Sequence, residues 1–551
     1  MDSEYDFIVI GAGASGCAVA AQLAQTASRP KVVLLEAGSP NGNETYLEAS
    51  ERFNVAFDPN SFPNWGYKTV PQHQLNGQEV DYSRGRGLGG TTSINFCGWL
   101  VGPKDDYEEW ARLTGDDDFR WLNVKKCLDR IQHLHPEIPV PELRKYLKAS
   151  PDHSTSGKID ISYGGPWIPD IGNIFVAAEQ IGMRVNADIN DGDPIGLGMG
   201  TVNCWKGKRI HAAAAYLPGC GPNLTVVTNA LVSKIMVENK RAVAVEAADG
   251  RVFFARKEII LSGGALNSPQ LLLLSGIGPK EEIEKHSIRT VHDLPMVGKN
   301  LRDHCYSAVG IVVKHGPDFV ETDVAPLCPS PMAFLKSAAA MSSKEFASLP
   351  CDIQRHLSQP TIPNFEIATH TPPSMLDYEP SPDVSFVGAI CILDNAQSHG
   401  TLTLKSADPN EAPIIDPKFA THPFDRKVLI DGIRQTIRLL QAPIYAKNTI
   451  EVLGPDPNAD DEEIWEHIRT HFGSSWHMSC TVKMGRTPDE ACVDSNFKVF
   501  GLEGLRVADM SVCPFVPNNH VQSTAYVLGE ILAEKLAKEY GLVSSTVDAR
   551  L

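Results

Sequence analysis

Residues 6–16 read DFIVIGAGASG, and no other stretch limits what this chain can fold into as tightly. Five residues of strand pattern run into Gly11, Gly13 and Gly16 at the GxGxxG spacing, and an Ala-rich helical pattern follows to about Gln25. A second short strand, residues 32–35, ends at Glu36, Ala37 and Gly38. Strand, glycine turn, helix, strand and acid in this order form the dinucleotide fingerprint in its proper context. The glycines allow a tight turn, close approach of a pyrophosphate and close packing of helix on strand. Ala14, Ser15 and Gly16 open the helix, whose unpaired N–H groups and partial positive charge suit that pyrophosphate. Glu36 is placed to hold the ribose hydroxyls of an adenosine. A Gly-rich turn in an unrelated α/β protein would lack the second strand and the acid. The motif alone does not choose between FAD and NAD.

Composition excludes several settings. A chain of 551 residues has length enough for several domain-sized units, and its formal charge of −17 argues against a nucleic-acid or anionic-membrane surface. No apolar run approaches a membrane span. The chain opens MDSEYDF and enters its first strand at once, so neither a secretory signal nor a transit peptide is expected. Twelve cysteines without CxxC or any metal-ligand spacing read as reduced, mostly buried thiols of an intracellular protein, and no metal site is expected.

Residues 83–95 read SRGRGLGGTTSIN, too rich in glycine for a stable helix or strand and suited to a loop lying against a flat or charged group. FCGWLVGPKDDYEEW follows to residue 110. Here the sequence resembles the glucose–methanol–choline (GMC) family of flavoprotein oxidoreductases, whose first motif, in the sense RGxxLGGSSxIN, is matched nearly residue for residue. The resemblance implies FAD, with Gly90, Thr91, Asn95, Phe96 and Gly98 along the pyrophosphate and the isoalloxazine ring. Some members attach FAD through a His just before the Asn. Ile94 stands at that place, so non-covalent FAD is expected. Val101-Gly102 replaces a common Arg-Gly, a departure given no functional meaning.

Further matches follow along the chain. Residues 223–235 read as a strand, a break and another strand, and Val232 corresponds to the position that meets adenine in relatives. A hairpin is expected to turn at Ala248, Asp249 and Gly250. Residues 257–278 resemble the second family motif. Physically they are a buried strand, a Gly-Gly turn and an apolar helix stopped at Ser275-Gly276, read here as packing support for the cofactor domain. Residues 111–200 and 305–395 are poorly legible, although 383–393 carry strand pattern and a helix is expected over 423–440.

The last quarter carries the chemistry. Residues 474–485 resemble the family segment WHxxGTxKMG, with Cys480 in place of its Gly, and residues 505–522 resemble LRVxDxSxxP followed by N/H-x-N/Q. These matches assign Asp509, Met510, Val521 and Gln522 to the cofactor. They imply that His477 is the base and that His520 orients the substrate hydroxyl. Oxidising an alcohol needs a proton taken from oxygen and a hydride from carbon; His suits the first task because it is largely neutral near pH 7. Any single one of the 17 histidines is more often structural, as His471 is read to be, but within these two motifs the balance reverses. Trp476 is either a pocket wall or a core residue. Ser474, Ser475 and Cys480 fit no nucleophile elbow. A helix beginning just past His520 would place its N-terminus near a reduced flavin.

The expected fold is α/β (α+β overall). A Rossmann-like FAD-binding domain comprises 1–110, 201–304 and 478–541, and a discontinuous substrate-binding domain on an antiparallel sheet comprises 111–200 and 305–477. A tail occupies 542–551. The expected activity is oxidation of a primary alcohol, aromatic or otherwise apolar, to the aldehyde, with O2 as acceptor. The rivals are a dehydrogenase using a quinone-type acceptor, a cyanohydrin lyase on the same scaffold, and a flavin binder without catalysis. The terminal Ala549-Arg550-Leu551 fits a small–basic–leucine peroxisomal tripeptide, so a peroxisomal import receptor is the expected partner and the cytoplasm the alternative.

Overall fold

The computed structural model describes residues 4–41, 47–58, 63–165, 167–168, 170–314 and 330–542, so the terminal tripeptide at 549–551 lies outside the described residues. Strand β1 (Glu4–Ile10), helix α1 (Ala14–Ala24) and strand β2 (Val32–Leu35) follow one another as the fingerprint requires. β2 and the second half of β1 are buried throughout. Their runs of Val, Ile and Leu show no polar alternation because a parallel sheet is covered on both faces.

Strand β3 (Leu224–Val227) pairs parallel with β2. Beyond it come β4 (Val232–Glu238), β5 (Arg241–Ala247) and β6 (Val252–Leu261). β6 pairs parallel with β1, giving the order β3-β2-β1-β6-β5-β4. The expected turn at Ala248, Asp249 and Gly250 joins β5 to β6, which pair antiparallel only along the first part of β6. The freed second part takes the short strand Leu505–Val507 in parallel register. Helix α2 (Gly264–Leu274) leaves the end of β6 and is capped at Ser275, as the sequence indicated.

A second sheet is antiparallel. It contains β7 (Cys305–Lys314), β8 (Pro331–Leu335), β9 (Phe365–Thr371) and β10 (Val384–Leu393), in the order β7-β10-β9-β8. Thr449–Leu453 lies outside β7 and Gly196–Met199 outside β8. Helix α3 (Pro423–Leu440), found at its expected bounds, packs on this sheet, and Val428, Ile433 and Ile437 are among its buried residues. The strand Phe472–Ser474 pairs with the first residues of β7, Ser474 opposite Cys305, and so carries the following residues to the start of β7.

Helix α4 (Gln522–Glu539) closes the molecule against α1. Ser15 Oγ donates to the Ala525 carbonyl at 2.5 Å, and Gln22 Nε2 donates to the buried Glu530 at 2.9 Å. Among the described residues no helix is long and apolar enough to cross a membrane. The described cysteines are free thiols, buried except for the half-buried Cys220 and the exposed Cys351.

Candidate active site

One continuous cavity runs from the glycine turn after β1 to the histidines at the start of α4, and residues of β2, β4, α2 and the 83–98 loop line it. Gly11 has φ +100°, and a Cβ there would lie 2.3 Å from the Ser262 carbonyl oxygen, so only glycine makes this turn. At Gly16 a Cβ would lie 1.9 Å from the Gly11 carbonyl oxygen. Gly16 is therefore a packing position, and of the residues assigned to the cofactor it alone is missing from the cavity wall. Gly13 differs, because a Cβ there would meet nothing within 4 Å. The open space lies at the first turn of α1, which no side chain caps, so its free N–H groups remain for an anion.

Glu36 lies beside the glycine turn. Its two oxygens accept from the Ala12 N–H at 2.8 Å and the Gly38 N–H at 2.9 Å, which fixes the carboxylate rigidly. Burial pushes its pKa up, against those hydrogen bonds. Ala14, Ser15, Ala37, Gly90, Thr91, Asn95, Phe96, Gly98, Val232, Asp509, Met510, Val521 and Gln522 all line the cavity. Asp509, however, already spends its oxygens on the Gly264 N–H, Ser268 Oγ and the Ser511 N–H, so it braces the α2 turn from the cavity wall. Helix α2, read as packing support for the cofactor domain, also presents Ala265, Asn267, Gln270 and Leu271 to the cavity. The apolar pattern of that helix gave no sign of which face would meet a ligand.

The inner end is built around two imidazoles. The rings of His477 and His520 stand with centroids 5.1 Å apart and planes at 53°. His477 arrives on the strand Phe472–Ser474, and Asp303 secures it: Oδ1 accepts from the His477 N–H at 2.7 Å and Oδ2 from Ser474 Oγ at 2.5 Å. Burial raises the Asp303 pKa to about 6. Trp476, at φ +56°, walls the cavity; its Nε1 donates to Asp81 at 2.7 Å and its ring meets Phe96 edge-on at 5.5 Å. Cys480, where the family pattern has Gly, sits at φ +75°, which explains the Gly of that pattern.

Behind each catalytic candidate stands a residue the sequence reading did not single out. His304 Nδ1 lies 3.0 Å from His477 Nδ1. His520 Nε2 lies 3.0 Å from both carboxylate oxygens of Glu366, a residue of β9 that is 1% exposed. Asp394, buried nearby, is held far above the usual carboxylate range, first by burial and then by Glu366. The loop before His520 is pinned by Asp106, which accepts from the Asn518 N–H at 2.7 Å. His477 itself is held well below the ordinary histidine pKa by burial, by His520, by His304 and by Arg84. It is a neutral imidazole at neutral pH.

A dinucleotide cleft that ends on a neutral imidazole, with a second imidazole backed by a carboxylate, fits a dinucleotide-dependent oxidoreductase. Comparison with known proteins makes the assignment specific. The chain belongs to the GMC oxidoreductase family, whose N-terminal model matches residues 5–306 and whose C-terminal model matches residues 396–529. It is 30% identical to the alcohol dehydrogenase (acceptor) of Pseudomonas putida over 98% of this chain and 97% of that protein. It is 31% identical to an oxygen-dependent choline dehydrogenase of Pseudomonas fluorescens over 99% of this chain and 96% of that protein. Among solved structures it is similar to an FAD-dependent oxidoreductase from Chaetomium thermophilum, with a TM-score of 0.85 and 26% identity over 98% of this chain and 100% of that one.

Proposed function

We propose that this protein oxidises a primary alcohol, aromatic or otherwise apolar, to the aldehyde, with O2 as electron acceptor. The observation that carries the reading is the His477–His520 pair, 5.1 Å apart at the inner end of the cofactor cavity. Relatives named as an alcohol dehydrogenase and choline dehydrogenases support the CH–OH donor class. Phe96 and Trp476 at the cavity wall, with Phe53 against Phe96 at 4.9 Å, favour an apolar substituent on the alcohol.

The residues that fit FAD are Gly11, Gly13 and the α1 N-terminus for the pyrophosphate, Glu36 for the ribose, and the 90–98 segment for the ring. Ile94 offers no nucleophile for a covalent link, which supports non-covalent binding. When bound, FAD supplies the hydride acceptor. The chain supplies the rest. His477 Nε2 takes the hydroxyl proton, and the neutrality imposed by burial keeps its lone pair available. For that to happen the proton of His477 must sit on Nδ1 and be donated to His304 Nδ1. His520, oriented by Glu366, holds the substrate oxygen. Trp476 and Phe96 exclude water from the developing alkoxide.

Anaerobic addition of candidate alcohols tests this reading. Bleaching of the flavin by an aryl or other apolar primary alcohol supports it, and an unchanged spectrum with every alcohol overturns it. Rapid return of colour in air marks O2 as the acceptor. A flavin that stays bleached in air and recovers with a quinone makes the protein a dehydrogenase instead.

A further inference from the structure

A second cluster of chemistry-bearing side chains lies outside the cofactor cavity. Gln132–His135 is the edge strand of a small sheet that also contains Ile159–Ser162, Thr201–Val202 and Gly98–Trp99. His133 and His135 are two apart on that strand and so share a face. The parallel neighbour places Asp160 directly opposite His133. Asp160 Oδ1 lies 2.8 Å from His135 Nε2 and 3.3 Å from His133 Nδ1, and the three atoms all fall within 4.8 Å of one another.

We propose that His133, His135 and Asp160 form a binding site for one divalent transition-metal ion of the zinc type. The sequence reading expected no metal site, because it searched for Cys and His at ligand spacing along the chain; here the third ligand comes from the neighbouring strand. Two imidazoles and one carboxylate suit Zn2+ and its neighbours in the series, whereas Mg2+ and Ca2+ prefer oxygen throughout. Tetrahedral ligands about 2.0–2.1 Å from zinc stand roughly 3.3–3.4 Å from each other. Oδ1 stands 2.8 and 3.3 Å from the two ring nitrogens, and no pair of the three atoms is more than 4.8 Å apart, so small side-chain rotations bring them to that separation. Binding would exchange the contacts to Oδ1 for three bonds to one ion, the ligating nitrogens giving up their protons and each ring carrying its N–H on the nitrogen that faces away from Asp160.

One ring is held in place beforehand. His135 stacks on Trp205 with centroids 3.4 Å apart and planes 6° from parallel, and His133 lies 4.5 Å from His135. The side chains of His133 and Asp160 are 37% and 31% exposed, so the ion can enter from solvent and keep water at its fourth position. The ion would fasten the edge strand to its neighbour, outside the cavity that His477 and His520 line.

Titration of the FAD-loaded, chelator-treated full-length protein with Zn2+ alone tests the proposal. Calorimetry should show one ion per chain with a dissociation constant in the micromolar range. His133→Asn and Asp160→Asn should each weaken binding more than tenfold, with flavin absorbance and alcohol turnover unchanged as the check on folding. At a hundredfold excess over the dissociation constant, Zn2+ should raise the melting temperature of the wild type by about 2 °C and leave His133→Asn unmoved. Absence of one-to-one binding to the wild type overturns the proposal. So does wild-type Zn2+ affinity in both variants.

Discussion

Nδ1 of His304 faces Nδ1 of His477 across 3.0 Å, so one ring must donate and the other accept. His304 Nε2 is buried and has no hydrogen-bond partner among the described residues. If His304 accepts at Nδ1, its proton sits on that unpartnered nitrogen and His477 is free to act as base at Nε2. If His304 donates, His477 presents an N–H to the substrate. The choice of tautomer in a residue that never touches substrate therefore decides what His477 can do.

Removing the acceptor should weaken the base. His304→Leu should slow anaerobic flavin reduction about tenfold, while His304→Asn, whose carbonyl can accept from His477, should keep most of the rate. FAD content should be the same in both. Stopped-flow reduction measures this, and equal rates in the Leu variant and the wild type would refute the role.

The same ring makes stability depend on pH. Burial, and then His520, hold the His304 pKa at about 3, whereas an unfolded histidine titrates near 6.5. As pH falls below about 6.5 the unfolded chain takes up a proton that the folded ring refuses. Stability attributable to this site is therefore complete above about pH 6.5 and declines by about 1.4 kcal/mol per pH unit toward pH 3. Denaturant unfolding of His304→Asn between pH 4 and 6.5 should show a slope shallower in that sense by up to one proton. Identical slopes would mean that the ring is protonated in the fold.

His477→Ala should cost roughly 10²–10⁴-fold in the reduction rate with FAD content retained, the usual worth of a general base. Because the pKa of His477 is held well below 6.5, the wild-type rate should stay level from pH 8 to about 6 and fall only in more acid solution. His520→Asn should be milder than His520→Ala, and the double Ala variant should lose far less than the product of the single losses. A rate within a few-fold of wild type in His477→Ala would place the base elsewhere.

Glu366→Gln keeps the shape behind His520 and removes its charge. Charge-assisted hydrogen bonds contribute about 1.5–3 kcal/mol, so reduction should slow roughly 10–100-fold while FAD remains bound. Unchanged kinetics would reduce Glu366 to a packing residue.

Gly98 leaves room for His520. A Cβ built on it would stand 3.0 Å from His520 Nδ1, so Gly98→Ala should push the ring by a few tenths of an ångström. Turnover should fall about tenfold with the flavin spectrum nearly unperturbed. A variant as active as the wild type would show that the ring has slack.

The parts of the site visible in sequence were those whose chemistry is local. Gly11, Gly13 and Glu36 sit in a strand–turn–helix unit whose spacing is set by the backbone, and His477 and His520 sit in short motifs. Glu366 and His304 were not singled out for a physical reason. Glu366 is one acid in a strand, made functional by the pairing of β9 with β10, and it falls in the stretch 307–395 that neither family match covers. His304 lies just before β7, and its meaning comes from strand Phe472–Ser474 pairing with β7. The sheets were predicted in kind, but which side chains they bring together depends on long-range register.

The contact of α4 with α1 joins the first turn of the cofactor cleft to a helix some five hundred residues later, through Ser15 and Ala525. During synthesis β1 and α1 emerge early with an apolar face that α4 covers. The nascent chain must carry that uncovered face until residues 522–539 have left the ribosome, and loop closure over such a separation is slow. Cofactor capture and completion of the histidine pair should therefore coincide with the end of translation, and fragments lacking α4 should associate with chaperones as colourless apoprotein.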